Sequence, residues 1–163
     1  MKYQQGQTLV EVIIALALAG IILSTVSLSV INSLKNSQDA KNQTTATQYM
    51  QQGMEIVRNM RQADYNTFTS LSGTYCFADS CTALSTTDKD PCGPSSSQCL
   101  TPNISPLFIR QVIVQKNASS CNGSTQVRVI VSWTDGQCGA ADPYCHKIDI
   151  ISCLTDYSIM TTP

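Results

Sequence analysis

Histidine occurs once in this chain, at His146, and cysteine does not occur before Cys76. Charge is sparse as well: Asp, Glu, Lys and Arg make up 13% of the 163 residues, about half the usual share. Neither sign dominates, with 10 Lys+Arg against 11 Asp+Glu. Each shortage argues against a class of function. Without a basic stripe nothing neutralises a run of phosphates, which argues against nucleic-acid binding through net charge. No glycine-rich phosphate loop and no H-E-x-x-H occurs. The lone imidazole abuts Cys145, and that thiol cannot serve as a nucleophile once oxidised. The expectation is a protein without catalytic activity and without a cofactor. Proline is missing from residues 9–31, and both glycine and proline from residues 32–47. Nothing there forces a helix to kink or stop.

Ser, Thr, Asn and Gln take the place of charge, a composition suited to a secreted or surface-exposed chain. The eight cysteines (Cys76, Cys81, Cys92, Cys99, Cys121, Cys138, Cys145 and Cys153) all lie in the second half. An even set confined to one region reads as a disulfide framework in an oxidising compartment. Zinc sites favour shorter Cys and His spacings and are the lesser reading. Spacing alone leaves the connectivity open, although Cys138 and Cys145 flank the loop GQCGAADPYC and can pair across it.

Residues 9–31, LVEVIIALALAGIILSTVSLSVI, carry Glu11 as their sole charge. A helix of about 20 apolar residues crosses a bilayer. Ala17-Leu18-Ala19 offers a signal-peptidase pattern, but the apolar run continues well past it. A plain signal anchor explains the length and leaves Glu11 unexplained. A carboxylate in the hydrocarbon region costs up to about 3 kcal/mol and is usually partnered. The next cation is Lys35, so the counter-charge is expected on another subunit.

Gly6-Gln7-Thr8-Leu9-Val10-Glu11, after a short leader with Lys2 and before an unbroken apolar helix, resembles the prepilin-type cleavage and methylation motif of type IV pilins and type II secretion pseudopilins. The resemblance implies cleavage by prepilin peptidase after Gly6 and N-methylation of the new first residue, Gln7. It further implies that Glu11 pairs with the amino terminus of a neighbouring subunit during filament assembly. The chain departs from the family in two ways: Gln7 stands where phenylalanine is commonest, and the apolar helix lacks the proline found in many major pilins.

Downstream, Ala46, Met50, Gly53, Val57 and Met60 recur at helical spacing, widened by Tyr49, Met54 and Ile56. Gln51, Gln52, Glu55, Arg58, Asn59 and Arg61 form the solvent side. The pattern predicts one helix over residues 8–63, with Gly53 admitting a close backbone approach. Residues 107–114, 126–133 and 147–153 read as three strands of an antiparallel sheet, with Val127, Val129, Val131 and Trp133 alternating onto one face. Residues 70–106 read as a loop stapled by the first four cysteines. Asp88-Lys89-Asp90-Pro91-Cys92-Gly93 reads first as a turn and second as a weak calcium loop, since no late glutamate follows. Asn42, Asn103, Asn117 and Asn122 begin N-x-[ST] matches of the kind expected by chance in this composition.

The expected fold is α+β: a long N-terminal helix, transmembrane in its first half, packed on a small antiparallel sheet with disulfide-rich loops, an arrangement similar to pilins. The expected division is a leader at 1–6, a transmembrane and filament-core helix at 7–31, a helix extension at 32–63 and an extracytoplasmic head at 64–163. The resemblance implies a filament subunit, a minor pilin first and a pseudopilin second. Its partners would be other pilin subunits, prepilin peptidase, the membrane and a pilus or secretion assembly platform. Its location would be the cytoplasmic membrane with the head outside, then an extracellular pilus or a periplasmic pseudopilus. Lys2 and the amino terminus against Lys35 and Lys41 give no clear positive-inside bias. A membrane-anchored, disulfide-rich binding domain that never polymerises shares every feature except processing and assembly. No residue argues for a particular adhesion ligand.

Overall fold

The amphipathic pattern of residues 46–60 has to bury its apolar stripe, and the alternating strand at 126–133 offers one apolar face to receive it. The computed structural model describes residues 5–87, 92–95, 99 and 101–155, and in it these two surfaces meet. Helix α1 runs Gln5–Ala63, three residues further towards the N-terminus than the pattern predicts. Strands β1 (Gly73–Cys76), β2 (Pro94–Ser95), β3 (Phe108–Gln115), β4 (Thr125–Trp133) and β5 (His146–Leu154) form one antiparallel sheet in the order β2-β1-β3-β4-β5. The α+β expectation holds. The count of three strands does not, because β1 and β2 lie in the stretch read as loop. They are too short, and too rich in Gly, Pro and Ser, to show a period of two. Both are held by pairing, Tyr75 opposite Val112 and Pro94 opposite Tyr75.

A short helix, α2 (Tyr65–Ser70), turns the chain between α1 and β1. Asp64 caps it by accepting the Thr67 amide at 3.0 Å. Four disulfides join Cys76 to Cys99, Cys81 to Cys92, Cys121 to Cys153 and Cys138 to Cys145.

By internal contacts the chain divides into two compact units, Met1–Lys41 and Asn42–Pro163. In the second, the core lies between residues 42–63 of α1 and the inner sheet face. Ala46, Met54 and Val57 meet Val112, Val114, Val127, Val129 and Val131, all fully or almost fully buried. Tyr49 meets the Phe108 ring edge-on at 5.5 Å, and Phe108 neighbours Trp133 across the β3–β4 ladder.

One inward position of β3 is charged. Arg110 lies opposite Val131 and has no exposed surface. Its Nε donates to the Phe77 carbonyl at 3.2 Å and its Nη2 to the Ala78 carbonyl at 3.0 Å. Its Nη1 donates to the Tyr49 carbonyl and to Gln52 Oε1, both at 3.2 Å. The guanidinium sits 4.8 Å from the Phe77 ring centre. Burial pushes its pKa down, and Asp79 and Tyr49 act against that. Asn103 closes the strand edge: its Oδ1 accepts the Arg110 amide at 2.7 Å and its Nδ2 donates to the Arg110 carbonyl at 2.9 Å. One cation thus ties α1, the segment after β1 and β3 together.

Gly53 makes room for it. A close approach exists as read from the sequence, but to side chains rather than backbone: a Cβ on Gly53 would lie 2.9 Å from Arg110 Cδ and 3.1 Å from Val129 Cγ1. Alanine is the better helix former by about 1 kcal/mol. Here the far end of Arg110 is pinned by hydrogen bonds and cannot move aside cheaply. Gly53→Ala is therefore expected to destabilise the protein by about 1–2 kcal/mol in urea unfolding. An increase in stability would show that Arg110 relaxes. Arg61, read as solvent-facing, is half-buried and donates to the Thr155 carbonyl at 3.3 Å. Arg58 stays exposed, 3.9 Å from Glu55.

Candidate functional site

An α-helix satisfies its own backbone, so what it presents outward is its side chains. From Leu9 to Leu34, fifteen large apolar side chains of α1 have relative exposures between 51% and 68%. A soluble protein rarely exposes such a surface unless lipid or another chain covers it. The helix is long and apolar enough to cross a membrane. Three of its hydroxyls are satisfied within the helix: Ser24 Oγ donates to the Gly20 carbonyl, Thr25 Oγ1 to Ile22 and Ser27 Oγ to Leu23, at 2.8–2.9 Å. These polar groups therefore enter a low-dielectric medium at little cost.

Glu11 differs from them. It is exposed on the same stretch, an acidic side chain in a segment otherwise built for an apolar medium. Gly6 and Gln7 lie in the first turn of α1. Gln7 and Glu11 are four residues apart in the sequence. Leader residues 1–4 lie outside the described residues. So do Asp88, Lys89, Asp90 and Pro91, which carry most of the calcium-type pattern.

The head holds a second constellation, at the ends of β4 and β5, whose last ladder pair is Trp133 with His146. Their rings stack at 5.5 Å and 21°. His146 Nε2 lies 2.8 Å from Asp135 Oδ2. The Gln137 amide donates to Asp135 Oδ1 at 2.8 Å and the Cys145 amide to Cys138 Sγ at 3.2 Å. Chiefly through the Gln137 amide, with His146 adding to it and desolvation opposing, the Asp135 carboxyl is held below its usual value. Sequence reading singled out Cys138, Cys145 and His146 here and passed over Asp135. The run D-x2-C-x6-C-H, next to a turn, was the available signal.

The Asp135 shift carries a pH dependence. A carboxyl whose folded pKa is depressed contributes stability above its unfolded value, about 4, and loses it as pH falls through the lower folded value. On acidification below about pH 4, hydrogen exchange of the Gln137 amide is expected to rise before the β4 amides respond. In Asp135→Asn that pH dependence should be gone.

In comparisons with known proteins, a model of the prokaryotic N-terminal methylation motif matches residues 1–27. No curated protein and no solved structure matches the chain.

Proposed function

We propose, for a chain that carries the type IV pilin and pseudopilin signal at its N-terminus, that it is a filament subunit, and that the filament is a type IV pilus in which it is a minor component. One observation carries the reading: the cleavage-type glycine, the acidic fifth position after it and the start of a long exposed apolar helix all coincide within residues 6–34. Prepilin peptidase cuts after Gly6. The chain waits in the cytoplasmic membrane with its cystine-rich head outside. On assembly the apolar face of α1 leaves lipid for the packed helices of other subunits. Helix packing then replaces lipid contact, and Glu11 meets a neighbour's amino terminus. No enzymatic role is proposed. The pseudopilin reading uses the same helix and the same charge, and differs in where the filament ends.

The test is intact-mass analysis and N-terminal sequencing of the protein purified from membranes, without reduction. A mature chain beginning at Gln7, with or without a methyl group, supports the reading. Recovery in filaments sheared from the cell surface then favours a pilus over a pseudopilus. A chain beginning at Met1 in cells with active prepilin peptidase overturns the reading and leaves an anchored, non-polymerising domain.

A further inference from the structure

The Asp135–His146 constellation has a chemistry that the filament reading does not use. Asp135, Cys138, Cys145 and His146 each offer one ligand atom, and these atoms all lie within 4.8 Å of one another. Around a tetrahedral zinc ion, with bonds of about 2.0–2.3 Å, ligand atoms stand roughly 3.2–3.8 Å apart. The cluster thus needs the bonded sulfur pair to part and the other separations to adjust by about an ångström, with no movement of the fold. In the structure Cys138 and Cys145 are joined as a disulfide, so bridge and metal exclude one another. We propose that when the Cys138–Cys145 bridge is reduced, Asp135, Cys138, Cys145 and His146 form a four-ligand site for one zinc-class divalent ion.

Two thiolates, an imidazole and a carboxylate suit a borderline-soft ion better than calcium or magnesium. The ligands are already oriented by their surroundings, which is what separates a site from a chance cluster. The Gln137 amide holds Asp135 by Oδ1 and leaves Oδ2 directed at His146. Stacking on buried Trp133 sets the plane of the imidazole. The Cys145 amide donates to Cys138 Sγ, a contact that favours a thiolate there. Adjacent residues in a strand point to opposite sides, but Cys145 precedes β5, and the bend lets it converge with His146.

The steps balance. A phosphine reductant passes two electrons to the disulfide and takes its oxygen from one water. That water supplies two protons, which leaves two thiols and a phosphine oxide. The divalent ion then displaces those two protons and binds two thiolates, one carboxylate and one neutral imidazole, for a net charge of −1. Reoxidation by a disulfide-class oxidant expels the ion. The proposal does not depend on whether the chain polymerises.

The full chain in detergent micelles is treated with limiting phosphine, and mass mapping identifies the fraction in which Cys138–Cys145 alone is open. Cobalt(II) and then zinc are titrated into it. The expected result is one cobalt per chain with sulfur-to-cobalt charge-transfer absorption, displaced by zinc, and at least about hundredfold weaker binding to the oxidised chain. His146→Ala and Asp135→Asn should each weaken zinc binding by at least about tenfold. If either variant binds as tightly as the unaltered chain, the four-ligand site is overturned. A Cys138→Ala/Cys145→Ala chain, reduced in the same way, should lose the site. Undiminished binding by it would assign the ion to other thiols.

Discussion

Arg110→Met is expected to lower the midpoint of thermal unfolding by on the order of 10–15 °C, as followed by the near-ultraviolet signal of Trp133. Methionine fills much of the space, but it donates nothing. The carbonyls of Phe77, Ala78 and Tyr49 that accept from Arg110 are main-chain groups and remain after the substitution. Ala78 keeps the Cys81 amide and Tyr49 its helical partner, the Gly53 amide, so Phe77 is the acceptor left bare. Each buried acceptor left without a donor costs about 1–3 kcal/mol. The bared Phe77 acceptor, the weakened bonding at the other two and the lost contact with the Phe77 ring together give about 2–4 kcal/mol, a large part of the roughly 5–15 kcal/mol that holds a domain folded. Arg128 is the built-in comparison. It lies on the outer face of the same sheet, its side chain 47% exposed, paired with Asp149 at 2.9 Å. Arg128→Met should cost no more than about 1 kcal/mol, as for surface pairs generally. Equal effects of the two substitutions would mean that water enters and satisfies the Arg110 acceptors.

Glu11→Ala is expected to leave the chain cleaved and membrane-inserted, and to reduce its recovery in filaments at least tenfold, about 1.4 kcal/mol of incorporation free energy. The substitution removes a charge that costs the inserted monomer up to about 3 kcal/mol, so insertion itself should improve. The same charge is what a neighbour's amino terminus would neutralise, so assembly should suffer. Glu11→Gln separates charge from shape: it keeps the size and hydrogen-bonding capacity and should fail as alanine does. Quantitative immunoblotting of membrane and sheared-filament fractions reads both. Normal incorporation of either variant would defeat the charge-pairing idea while leaving processing untouched.

The parts of the fold legible in the sequence were those with a strong period. Val127, Val129, Val131 and Trp133 alternate without interruption and occupy the buried face of β4 as read. Ala46, Gly53, Met54 and Val57 likewise define the buried side of α1. Strand β1 was missed because a four-residue run with Gly73 at its start carries almost no pattern, and its pairing with β3 is a tertiary fact. Arg110 shows a different kind of failure. A charged residue in a strand is ordinarily assigned to solvent, yet Phe108, Val112 and Val114 share its parity. Strict alternation would have placed it inside. At the N-terminus, Gly6, Gln7 and Glu11 could be singled out as candidates because their spacing to the apolar run does not depend on tertiary structure. Asp135 was not, since its role comes from the β4–β5 register that brings Trp133 beside His146.

The order in which the cysteines are joined has a consequence for how the protein is made. The bridges form two nests: Cys81–Cys92 lies inside Cys76–Cys99, and Cys138–Cys145 inside Cys121–Cys153. A head threaded through a membrane behind its N-terminal helix would present its thiols in chain order. An oxidant acting on each pair as it emerged would join Cys76 to Cys81, Cys92 to Cys99, Cys121 to Cys138 and Cys145 to Cys153. None of these is a native bridge. Maturation therefore demands either that oxidation wait until the sheet has brought the distant partners together, or that an isomerase reshuffle the first products. The yield of correctly joined chains is then set by the cell's thiol-exchange capacity as much as by the stability of the fold.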